Sequence, residues 1–171
     1  MNSKRLAVSN SGPLIHLAKA GLLHLIKLYD VIIPKEVKRE VVDVGKAKGY
    51  SDAFLVEKAI EDGWISVIEV KIDKKFAEIA RLAGLHEAEI GMVYYAYQNK
   101  ITALLDDDPA RVFARGLGVK VKGSIGLLIE GLKEGLITYQ EALEGLDRLA
   151  DVMYLSSSVY KLALKEIEKL K

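Results

Sequence analysis

Residues 101–121, "ITALLDDDPARVFARGLGVKV", read as strand, turn, helix and strand. "ITALL" is a short apolar run of strand length, and Pro109 opens a helix that reaches Leu117 before Gly118 stops it. "VKV" then resumes an extended segment. Two strands joined through a helix lie parallel, with a right-handed crossover between them. Asp106, Asp107 and Asp108 stand where the first strand ends. Like charges about 4 Å apart repel by ~1 kcal/mol in bulk water and by ~4 kcal/mol at an effective dielectric near 20. One or two of the three acids are accounted for if Asp107 or Asp108 caps the helix and Asp107 pairs with Arg111 at i+4. Asp106 is left beside other acids, where carboxylates either take up protons or share a cation.

The same alternation runs outward from this unit. "RLAVSN" is a buried strand, and "SGPLIHLAKAG" follows with a capping serine, an early proline and apolar residues at helical spacing. "DVIIP" precedes the helix "KEVKREVVDVG", and the helix "YSDAFLVEKAIEDG" precedes the strand "WISVIEV". Further helices run from about Asp73 to Ala83 and from His86 to about Tyr97. The order predicts an α/β fold, a three-layer α/β/α sandwich with a central, mostly parallel sheet. From about residue 124 the chain becomes mainly helical, with breaks at Gly135 and at Ser156 to Ser158. Its last helix carries an apolar stripe, Val159, Leu162, Ile167 and Leu170, suited to the core or to a second subunit. Without repeats or linkers, residues 1–171 read as a single domain.

Composition narrows the chemistry. The chain is 171 residues long and 50% hydrophobic, enough for a substantial core, and it lacks any apolar run of membrane-spanning length. A soluble, cytoplasmic protein is expected. No cysteine is present and only three histidines, so a bound metal has to be held by oxygen, which favours Mg²⁺ or Mn²⁺. The net charge of +1 supplies no long-range field for nucleic acid.

Loops beyond the carboxyl ends of parallel strands converge on one crevice. Asn10 and Asp106 both belong there. Glu40 lies one turn past Glu36 on the helix after the second strand and borders the Val37/Val41 stripe; a solvated helix residue is the alternative reading. In "HEAEIGMVYYAYQ", Glu89 falls in line with Val93 and Ala96, on the apolar stripe, where a charge is costly without a partner. Glu87 points toward a more exposed face. The plain alternative for both is an ordinary carboxylate in the first helical turn.

With these positions in place, the chain resembles the PIN-domain ribonucleases, a fold found in many toxins of bacterial and archaeal toxin-antitoxin pairs. The likeness is carried by "VSNSGPLIHLAKAG", "IPKEVKREV", "HEAEIGMVYYA", "LLDDDPARVFARGLGVKVKGSIGLL" and "EGLITYQEALEGLDRL", in family order across most of the chain. The resemblance implies catalytic and metal-binding roles for Asn10, Glu40, Glu89, Asp106 and Asp107, with Mg²⁺ or Mn²⁺ activating water against an RNA phosphodiester. It also implies a homodimer and an antitoxin protein as a partner. Two departures stand out. Asn10 replaces the first family acid, which lowers the charge and leaves open a weakened module that binds nucleic acid or protein without turnover. His86 replaces a glycine and reads as a capping or surface residue. Phosphate contacts fall to Ser11, Lys38, Arg39, Arg111 and Arg115, although Ser11 also reads as a helix cap and the basic cluster 35–48 as a solvated face.

Overall fold

The computed structural model describes residues 5–171; the first four residues of the predicted 1–171 domain lie outside that range. Five parallel strands form one sheet in the order β3–β2–β1–β4–β5, with β1 (Arg5–Ser9), β2 (Tyr29–Pro34), β3 (Ile65–Ile68), β4 (Thr102–Leu104) and β5 (Val121–Lys122). Val8 of the central strand pairs with Ile32 on one side and Ala103 on the other. Side chains alternate across β1 because successive residues of a strand face opposite ways. Ala7 joins a core with Leu14, Leu17, Leu104 and Leu127; Val8 joins a second with Ile90, Val93, Ala103 and Leu105.

The helices divide between those two cores, giving the three predicted layers. Packed on one face are α1 (Ser11–Lys19), α4 (Ser51–Glu61), α8 (Ser124–Lys133), α9 (Tyr139–Met153) and α10 (Ser157–Glu168). The other face carries α5 (Lys74–Leu82), α6 (Glu87–Asn99) and α7 (Asp108–Gly116). A 3₁₀ turn at Leu23–Leu28, not anticipated from the sequence, links α1 to β2. No helix of the described residues is long and apolar enough to cross a membrane.

Three local expectations change. The helix expected after β2 is not uniform: α2 (Lys35–Lys38) widens into a π-helical stretch, Arg39–Val44, before closing as α3 (Gly45–Ala47). Glu36 precedes the widened stretch and Glu40 lies inside it. Glu36 is half-buried while Glu40 is exposed. The stripe on α10 is also only partly used, since Ile167 is buried but Val159 and Leu162 face solvent. Strand β3 stops at Ile68, short of the predicted Val70.

Helix α8 is anchored at both ends. Near its last turn the buried Glu130 accepts from the Tyr29 hydroxyl at 3.0 Å and pairs with Arg5 and Lys122. Burial alone raises the Glu130 pKa, but the Lys122, Arg5 and Tyr29 donors outweigh it and hold the carboxyl below its ordinary range. The other end of α8 meets the sheet's carboxyl edge.

Candidate active site at the carboxyl edge of the sheet

Strand order reverses between β1 and β4, so the chain leaves these neighbouring strands in opposite directions and opens a crevice beyond them. Asn10 is the first residue after β1 and the N-cap position of α1. Its backbone N–H donates to the Leu104 carbonyl at 3.1 Å, extending the strand pairing to the lip of the crevice. The side chain is 5% exposed. Ser11 follows, equally enclosed; it starts the helix but does not cap it, contrary to that reading of the sequence.

Asp106 ends the β4 side and is held by three donors. Its Oδ1 accepts from the Ser124 backbone N–H at 2.7 Å, and its Oδ2 accepts from the Ser124 hydroxyl at 2.6 Å and lies 2.7 Å from His16 Nδ1. Burial by itself raises this carboxyl's pKa, but the His16 and Ser124 hydrogen bonds more than compensate and leave it lowered. An ionised carboxylate only accepts, so the hydrogen in the contact sits on His16 Nδ1.

Glu89 is 3% exposed in the first turn of α6, as its place on the apolar stripe predicted. Its Oε1 accepts from the His86 backbone N–H at 3.2 Å and lies 2.9 Å from His86 Nε2, which gives His86 the capping role expected. Burial raises the Glu89 pKa, and the nearby Asp107 carboxyl adds to the rise, so these two acids are neighbours. Asp107 occupies the N-cap position of α7 without accepting a capping bond, and is exposed.

The Asp107–Arg111 pair suggested by the sequence is replaced by a different contact. Arg111 Nη1 donates to the Leu105 carbonyl at 2.7 Å, because α7 turns its guanidinium back under the strand end. Gly123 makes room there: a Cβ at this position would fall 2.7 Å from both Arg111 Nη1 and Asp106 Oδ1, and 3.2 Å from the Leu105 carbonyl oxygen. Gly123→Ala is therefore expected to displace both charged groups and to cost about 1–3 kcal/mol by overpacking. Chemical denaturation checks this; an unchanged midpoint would mean the site tolerates the methyl group.

The remaining expected residues are exposed or paired with other side chains. Glu40 is exposed and no hydrogen bond joins it to the acids above. Lys38 pairs with Asp43 at 2.9 Å, and Lys35 and Lys46 are paired with Glu69 and Glu57, so much of the basic cluster is neutralised locally. Arg39 and Arg115 are exposed. Glu87 is exposed too and pairs with Arg81 at 2.8 Å.

His16 and Ser124 are the site residues that sequence reasoning passed over. A polar residue at position 16 interrupts an otherwise apolar helix face, which is a signal, but its partner lies ninety positions away. Ser124 was legible only as a helix start.

Among the described residues, the buried side-chain polar atoms without a hydrogen-bond partner are Asn10 Oδ1, Ser11 Oγ and Glu89 Oε2. All three belong to residues at this edge, and leaving such atoms bare is costly. They are hard oxygens, the donor type that Mg²⁺ and Mn²⁺ take. No three His, Asp or Glu side chains among the described residues are grouped closely enough to enclose an ion alone. The Asn10 amide oxygen and water thus belong to any donor set that fits, in keeping with the several waters Mg²⁺ retains.

A family model described as a PIN domain matches residues 6–169. No curated protein matches the chain.

Proposed function

The chain belongs to the PIN-domain family, a nuclease-type fold, and from that premise we propose that it is a metal-dependent ribonuclease. Asn10, Glu89, Asp106 and Asp107 would hold Mg²⁺ or Mn²⁺ directly or through water, with Glu40 reaching the outer side of the site. The observation that carries this reading is the group of bare buried oxygens on Asn10, Ser11 and Glu89 beside a firmly ionised Asp106. When bound, the ion supplies an activated water and neutralises charge on the phosphoryl group. The protein's own residues set the frame. His16 and Ser124 fix the Asp106 carboxylate, and the closed apolar surroundings of Glu89 keep its unpartnered oxygen out of bulk water. Arg111, half-buried with Nη1 on the Leu105 carbonyl, gives a fixed positive charge beside the crevice, while Arg39 and Arg115, both exposed, and Lys38 would contact the RNA backbone.

Purified protein is expected to cleave single-stranded RNA with Mn²⁺ or Mg²⁺ and to stop when EDTA is added. Cleavage undiminished by EDTA would reject the reading.

Asn10 favours a second reading, a module that binds RNA or a protein partner without turnover, because a buried amide stands where the family resemblance implies an acid. Calorimetric titration separates the two: RNA binding without Mn²⁺ binding at millimolar metal supports the module. A toxin role, with an antitoxin partner and a homodimer, rests on the family likeness; co-purification with the product of an adjacent gene and the mass of the native protein test it.

A further inference from the structure

We propose that this centre takes a single divalent ion and that His16 is the positioning residue that limits it to one. The inference rests on the metal-dependent reading above. A carboxylate offers about four lone-pair sites, two on each oxygen. On Asp106, Oδ2 has both of its sites taken, by the Ser124 hydroxyl and by His16 Nδ1, and Oδ1 has one taken by the Ser124 N–H. One lone pair is left. It suffices for one ion bound through a single oxygen, whereas a carboxylate that bridges two ions presents one oxygen to each.

With His16 fixed as a donor through Nδ1, Oδ2 belongs to the protein and not to a metal.

Mn²⁺ titration, followed by calorimetry and by the paramagnetic resonance of free Mn²⁺, reads the number of ions directly and needs no turnover. One equivalent per chain is expected for the native protein. His16→Ala, folded by circular dichroism, is expected to bind two, because a water in place of the imidazole yields to an ion; Ser124→Ala frees the same oxygen and is expected to do likewise. His16→Asn restores a side-chain N–H donor and should return the count to one. Two equivalents in the native protein, or one in both folded alanine variants, would overturn the proposal and leave the nuclease reading standing. No binding by the native protein would remove that reading itself.

Discussion

Asp106→Asn is expected to reduce RNA cleavage about 100-fold or more, roughly 2.7 kcal/mol of transition-state stabilisation, and to destabilise the fold as well. Three donors converge on this side chain: the Ser124 N–H, the Ser124 hydroxyl and His16 Nδ1. The carboxylate accepts from all of them. An amide has one accepting oxygen and presents an NH₂ on its other side, so at least one contact becomes donor against donor. The imidazole recovers a bond only by moving its hydrogen to Nε2, a tautomer change of the kind that disables His–Asp pairs elsewhere. The expected loss is about 1–3 kcal/mol of stability. Urea denaturation measures it, and ¹⁵N shifts of the His16 ring report the tautomer. Full activity and an unchanged unfolding midpoint would mean that Asp106 is only a strand-end residue.

The same chemical change at Glu89 is expected to have the opposite effect on stability. This carboxyl is nearly enclosed, one of its oxygens has no partner, and burial together with Asp107 makes its ionisation unfavourable. Glu89→Gln removes that penalty while its amide oxygen still accepts from the His86 N–H. Without metal, the variant should gain about 1–3 kcal/mol at neutral pH. It should also lose the stabilisation that Mn²⁺ gives the native protein, and its cleavage activity should fall by two orders of magnitude or more. Thermal unfolding with and without Mn²⁺ reads both changes; a lower Tm for the metal-free variant would show that the Glu89 charge is compensated in the fold.

The pH dependence of the metal-free protein follows from these two acids. Asp106 has a lowered pKa, so its contribution is present above the ordinary carboxylate range and is lost as pH falls through its folded value. Glu89 has a raised pKa, so its contribution is present below the ordinary range and is lost as pH rises through its folded value. The maximum set by this pair is therefore expected near the ordinary carboxylate range, where Asp106 is already ionised and Glu89 still protonated in the folded protein, and Mn²⁺ is expected to abolish the loss above it. Melting curves across pH, in EDTA and in Mn²⁺, check both limbs.

Strand and helix order was legible because apolar periodicity is a local property. The run Ile101–Val121 alone specified strand, turn, helix and strand, and proline and glycine marked the limits of the helices to within a few residues. Burial of Glu89 was legible for the same reason, since it lies in line with Val93 and Ala96. The π-helical stretch at Arg39–Val44 was not, because nothing in "REVVDV" departs from an ordinary helical pattern. Glu40 lies inside that stretch and is exposed.

By itself the sequence determined which residues are apolar at which period, and hence the layered sheet, the strand ends and the acids beside them. Only the tertiary structure decided what those acids touch. His16 and Ser124 reach Asp106 across 90 and 18 positions of chain, and Arg111 turns to the Leu105 carbonyl instead of to Asp107. A hydrogen bond is set by direction and by distances of a few tenths of an ångström, which arise when separate helices pack on one sheet and which no local spacing encodes.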